Sequence, residues 1–203
     1  MLDYATATNA CPSTRLAKEV TAWCMPAWER ADHFDRLAEA YEVIGSKGGR
    51  VFTLRLDKDA LVAVTGSKDP VRVMSRRIQR AFKRAKLAVP YFAFSLEVTP
   101  DDRDELHLHG AIVLGTISPS VVKNVLRSAA GYIPGRAGSR QVQLKNFDLE
   151  AGGPAGWANY VKKGATRTSR VIEQERLTYI DQSLRQLAKL SWEQRRQQVS
   201  KLF

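Results

Sequence analysis

Hydrophobic and polar positions recur along this chain with two different periods, and the switches between them mark out its elements. Leu16, Val20, Trp23, Trp28, Phe34, Leu37 and Tyr41 follow roughly helical spacing and predict helix over residues 14–44, with Pro26 as a break. After the loop Gly45-Ser46-Lys47-Gly48-Gly49 the period drops to two. Phe52, Leu54 and Leu56 alternate with Thr53 and Arg55, which predicts a strand over 50–57. Asp69-Pro70 opens a helix running to about Leu87, the Asp as N-cap and the Pro in the first turn. Strands over 91–99 and 106–114 flank a tight acidic turn. Ser118-Pro119 opens a second helix that ends near Gly131, and a fourth strand covers 141–148. Gly152-Gly153-Pro154 leads into a third helix that carries Tyr160 and ends at Gly164. Residues 169–203 are polar with a thin apolar stripe and predict more helix.

The order β-α-β-β-α-β, then helix, predicts an α+β fold of the split βαβ, ferredoxin-like kind. It has an antiparallel sheet with helices on one face, plus N- and C-terminal helices. The expected organisation is a helical extension over 1–49, a core over 50–164 and a second helical extension over 165–203. Each strand separates an apolar face from a polar one. The polar faces collect Thr53, Arg55, Ser95, Glu97, His107, His109, Gln143 and Lys145. With the helices on the apolar side, this polar face is expected to lie open.

Chemistry concentrates on that face. His107 and His109 stand one residue apart on a strand, so both imidazoles point the same way and can reach one cation. Glu97 falls on the same face of the neighbouring strand. Two imidazoles and a carboxylate suit a divalent metal with positions left for water and phosphate. Glu105, two residues before His107, is a rival third ligand but lies in the turn. Further on, Tyr160 is followed at helical spacing by Lys163. A phenolate is a competent nucleophile toward a metal-polarised phosphorus, and a lysine nearby can stabilise the charge.

Charge narrows the partner. Thirty-two Lys and Arg against twenty-one Asp and Glu leave a net charge of +11, which favours a polyanion. Between Pro70 and Ala88 there are only bases, and Arg76, Arg80 and Arg84 lie on one helical stripe expected to contact DNA phosphates. Thr53, Arg55, Gln143, Lys145 and Lys162 are the further candidates for DNA contact. The two cysteines, Cys11 and Cys24, form no CxxC pair and fit reduced thiols in a cytoplasmic protein. No apolar run reaches the roughly twenty residues a membrane span needs, so no membrane partner is expected.

Three motifs, in order, resemble those of the HUH endonucleases, in particular rolling-circle replication initiators. They are Val51-Phe52-Thr53-Leu54, Leu106-His107-Leu108-His109-Gly110 and Asn159-Tyr160-Val161-Lys162-Lys163. The resemblance spans about residues 50–164. It implies a Mg²⁺- or Mn²⁺-dependent nickase and strand transferase acting on single-stranded origin DNA, presented beside a hairpin. His107, His109 and Glu97 would be the ligands, Tyr160 the nucleophile that becomes 5′-phosphotyrosine, and Lys163 its electrostatic helper. Position 156, four before Tyr160, is Gly, so the paired tyrosines of the phage initiators are absent. There is no GxxxxGK[ST] loop, so a separate, host helicase would have to unwind the duplex. Two alternatives share the fold: a single-tyrosine transposase, and a non-catalytic nucleic-acid-binding module.

Overall fold

The computed structural model describes residues 25–99 and 106–200. The start of the first predicted helix with both cysteines, and the acidic turn with Glu105, lie outside the described residues.

A single 3₁₀ turn, Trp28–Arg30, precedes helix α1 (His33–Ser46), whose Asp32 carboxylate accepts the N–H of Phe34. Strand β1 (Arg50–Arg55) leads to α2 (Lys58–Thr65) and α3 (Pro70–Arg84). Strands β2 (Phe92–Val98) and β3 (Leu106–Ile112) follow, then α4 (Pro119–Ala130), the short α5 (Gly135–Ser139) and β4 (Val142–Lys145). The chain ends its described part with α6 (Gly153–Lys162), α7 (Ala165–Ile172), β5 (Thr178–Ile180) and α8 (Gln182–Ser200). Caps set these starts. Asp69 accepts from Arg72 N–H with Pro70 at the first helical position, and Ser118 accepts from Val121 N–H ahead of Pro119.

The five strands form one antiparallel sheet in the order β4-β1-β3-β2-β5. The first four stand in the split βαβ order that the sequence predicts. Helices α3 and α4 pack on one face. There Val71, Met74, Ile78 and Phe82 of α3 and Val122 and Leu126 of α4 join Phe52, Leu54, Phe94 and Leu108 of the strands in one core. Gly110 makes room within it, since a Cβ there would lie 2.4 Å from Phe52 Cζ and 2.5 Å from the Ala93 carbonyl oxygen.

The opposite face differs from expectation. It is not open, because α1, α6 and α8 cover part of it. Leu37, Tyr41 and Ile44 of α1, Ala158 and Val161 of α6, and Leu184 of α8 form a second core on Ala93 and Ala111 of the sheet. Those two sheet residues are small, which lets helices approach closely while leaving almost no apolar signal in the strand pattern. Three elements lie outside the predicted pattern, the first being the short α5 between the second predicted helix and the fourth strand. Helix α2, capped by the Asp57 carboxylate on Ala60 N–H, lies between the first predicted strand and Asp69, where no element is predicted. The predicted C-terminal helix is divided, with β5 inside it. Thr178-Tyr179-Ile180 completes the edge beside β2, and Tyr179 stacks on Phe94 at 5.4 Å. Three residues are too few for a period of two to show.

Candidate metal centre and tyrosine helix

Register builds the centre. Glu97 stands directly opposite His107 across β2–β3, and Thr53 directly opposite His109 across β1–β3. Opposed residues share a face, so these side chains meet on the side covered by α6. His109 and His107 are buried, at 5% and 9% exposure, rather than displayed on an open surface.

The donor atoms converge. His107 Nε2 and His109 Nε2 lie 2.8 Å apart, Glu97 Oε2 is 2.9 Å from His109 Nε2, and it is 3.8 Å from His107 Nε2. Glu97 Oε2 is buried and accepts no hydrogen bond of normal angle, despite the close His109 nitrogen. Two Nε2 atoms at 2.8 Å cannot both carry protons. The three distances define an acute triangle whose circumradius is about 1.9 Å, so a point about 2 Å from every donor exists, as a small divalent cation requires. Glu97, His107 and His109 therefore form a group that could hold a metal ion. Thr53 Oγ1, 3.0 Å from His109 Nδ1, supports this use of the ring. With the hydroxyl as acceptor, the proton sits on Nδ1 and the Nε2 lone pair faces the other donors. The Tyr41 hydroxyl, buried beneath, donates to the His109 carbonyl at 3.4 Å. Burial drives its pKa far above the ordinary tyrosine range.

Helix α6 brings the aromatic side of the site. Ala158 and Val161 point into the second core, which turns Trp157 and Tyr160, three apart, onto the histidine strand. The Tyr160 ring lies 5.3 Å from the His109 ring, edge to face. Trp157 stacks on Tyr160 at 5.2 Å and also meets His109 edgewise at 5.4 Å. Tyr160 nevertheless keeps 46% of its surface exposed. Partial burial, and then the negative charge of Glu97, hold its phenol above the ordinary pKa. Thr53, Gln143 and Lys145 join His109, Trp157 and Tyr160 around a cleft of about 180 Å³. A neighbouring cleft runs along α6 past Asn146, Asp148 and Gly156.

The other expected residues separate into two groups. Arg55 stands opposite His107 in the β1–β3 register and so shares the face of the centre. Lys162 is exposed at the end of α6. Lys163 is exposed at its C-cap, with its backbone N–H on the Tyr160 carbonyl. No hydrogen bond joins the Lys163 side chain to the phenol among the described residues. Arg76, Arg80 and Arg84 do not join the centre at all, because α3 packs on the far face of the sheet. Sequence reasoning missed Gly164. A Cβ at this position would lie 2.8 Å from Glu97 Oε1 and 3.0 Å from Glu97 Cγ, so the residue after the tyrosine helix leaves space for the carboxylate. Only the fold places these two positions together.

No known protein family, characterised protein or solved structure matches this chain.

Proposed function

We propose that the protein is a single-tyrosine nuclease and strand transferase of the HUH kind, nicking single-stranded DNA at an origin through a 5′-phosphotyrosine. The observation that carries this reading is the Tyr160 ring standing over His109, beside three converging metal donors. A nucleophile and an electrophile-activating site occur within one side-chain length of each other, in a chain of net charge +11.

Glu97, His107 and His109 would hold a divalent cation, Mg²⁺ or Mn²⁺, which when bound polarises the scissile phosphate and offsets the Glu97 charge near Tyr160. Trp157 and His109 fix the Tyr160 ring between them, so that its oxygen is presented rather than searching. The phenol oxygen forms a bond to phosphorus while the bond to the 3′ oxygen breaks. The phenol proton leaves to water, and the departing 3′ oxygen gains one. One phosphodiester replaces another, so a 3′-OH can later attack the phosphotyrosine and restore the strand. Lys145 and Gln143 at the cleft, with Lys162 at the helix end, would contact the sugar-phosphate chain. Trp157 offers a base a stacking surface beside the cleft. With a single tyrosine on α6, one protomer holds one 5′ end at a time.

The test is incubation with a pool of single-stranded oligonucleotides and Mn²⁺, followed by a denaturing gel. A covalent adduct is expected for the native protein. Tyr160→Phe should lose it while retaining the fold and DNA binding. An adduct that survives this change would remove the nucleophile from α6. Release of a 5′-phosphate with no adduct would replace the reading by plain metal-assisted hydrolysis.

A further inference from the structure

The back of the molecule carries a feature that the proposed nuclease leaves unused. Helix α3 buries Val71, Met74, Ile78 and Phe82 against the sheet and turns Arg72, Arg76, Arg80, Lys83 and Arg84 outward, all of them exposed. Beside it, α4 adds Lys123 and Arg127. Helices α3 and α4 are themselves free of acids, since none occurs from 70 to 96 or from 106 to 147, and in the same layer the neighbouring α2 carries Asp59. Nothing neutralises the outward stripe, since among the described residues none of these five side chains pairs with a carboxylate. Arg77 is different. Its Nε donates to the Ala129 carbonyl at 2.7 Å and ties α3 to α4.

The stripe works against its own helix. Arg72, Arg76, Arg80 and Arg84 are successive i,i+4 neighbours, a spacing at which like charges destabilise. A solvated face ordinarily mixes signs at such positions. A row of guanidinium groups with, among the described residues, no carboxylate partner, of which only Arg84 reaches a hydroxyl, at Ser128, fits a polyanionic partner, and guanidinium forks favour phosphate over other anions.

We infer that the outer surface of α3 and α4 binds the phosphate backbone of duplex nucleic acid, on the side of the sheet away from the metal centre. Two features select the duplex. Single strands need stacking platforms as well as charge, and the exposed positions of α3 hold no aromatic or large apolar residue while those of α4 add only Val121. A bilayer surface needs an inserted apolar stripe, and the apolar stripe of α3 is spent inside the core. What remains is a slanting row of cations that rises about 6 Å per step along the helix, suited to tracking phosphates without reading bases. The aromatic side of the molecule, at Trp157 and Tyr160, is the face equipped for single strands. The two faces would together hold a duplex stem and the single strand next to it. The inference concerns binding only and stands whether or not Tyr160 forms an adduct.

The experiment measures fluorescence anisotropy of the full chain with a labelled blunt 20-base-pair duplex across a salt series. Comparators are a four-nucleotide single strand and vesicles of phosphatidylserine and phosphatidylcholine. Each lost phosphate contact should flatten the log–log salt slope for the duplex by about 0.9. Arg76→Glu with Arg80→Glu and Arg84→Glu should therefore reduce it by roughly 3 and weaken duplex binding more than tenfold at about 0.1 M salt. The short strand should lose far less. The neutral set Arg76→Gln, Arg80→Gln and Arg84→Gln should flatten the slope equally with a smaller loss of affinity, which guards against a folding defect in the reversed set. An unchanged duplex slope in both sets would overturn the inference. So would equal loss for the short strand and the duplex, or tighter binding of the native protein to the vesicles than to the duplex.

Discussion

Gly164→Ala tests the metal centre at the least cost to the rest of the molecule. The backbone of Gly164 sits at φ −83, ψ −4, a conformation that alanine adopts freely. Removing a glycine from the unfolded chain there would by itself stabilise by about 0.4–1 kcal/mol. The added Cβ, however, would lie 2.8 Å from Glu97 Oε1, 3.0 Å from Cγ and 3.1 Å from Cδ. Carbon contacts are comfortable near 3.5–4.0 Å, so a retreat of roughly 0.5–1 Å is needed. The backbone cannot supply it. The Gly164 carbonyl accepts both the N–H and the hydroxyl of Thr168 at 2.9 Å, and that hydroxyl accepts in turn from Val98 N–H at 3.0 Å. The Glu97 side chain must move instead, and its 2.9 Å approach to His109 is lost. Metal sites tolerate about 0.2 Å of ligand displacement, so Mn²⁺ affinity should fall at least about tenfold, or roughly 1.4 kcal/mol. Stability without metal should change by less than about 1 kcal/mol, because the moving group is the free end of a side chain. Titration calorimetry with Mn²⁺ reads the affinity directly. Thermal or denaturant unfolding gives a second readout. At Mn²⁺ one hundred times the native Kd, the stabilisation of about 2.7 kcal/mol should drop to roughly 1.4 in the variant. A folded variant that binds Mn²⁺ within twofold of the native protein would refute the placement of Glu97 as a ligand.

Thr53→Val removes the acceptor for His109 Nδ1–H while keeping the shape, and should weaken Mn²⁺ binding about tenfold; Thr53→Ser should restore it. A valine variant with native affinity would take Thr53 out of the centre. Glu42 is held above the ordinary carboxylate pKa by burial first and then by Glu39. Its folded form binds the proton more tightly than the unfolded chain, so the stability that protonation provides is present in acid and lost as pH rises through the folded pKa. Glu42→Gln should therefore raise stability at neutral pH, by less than about 1 kcal/mol because solvent screens the group, and the gain should vanish below the ordinary carboxylate pKa. Denaturant melts at pH 3.5 and 7.5 check this, and a gain that persists in acid would assign the effect to something other than charge.

Features that depend on local geometry are legible along the chain. Asp69-Pro70 and Ser118-Pro119 start α3 and α4 because an N-cap oxygen and a fixed proline φ act within one turn. His107, His109 and Glu97 share a face because the strand period is two. Both follow from neighbours along the chain and need no knowledge of the fold. How the elements meet depends on packing between distant segments. Only the β2–β3 register puts Glu97 opposite His107, since a slip of one residue would turn Glu97 to the other core. The covering of the second face leaves little trace in the sequence because Ala93 and Ala111 carry little hydrophobic signal, although their small size is what admits α1 and α6. On α6, spacing put Lys163 on the face of Tyr160, and Trp157 lies three residues the other way. The fold gives the place to Trp157 and leaves Lys163 exposed at the helix end. The basic helix is the sharpest case. Its stripe is plain in the sequence, but a helix that crosses behind a sheet presents its cations to the side its own core leaves free. Arg76, Arg80 and Arg84 therefore face away from His107 and His109, a relation set by the packing of α3 on the strands and by no feature of its own segment.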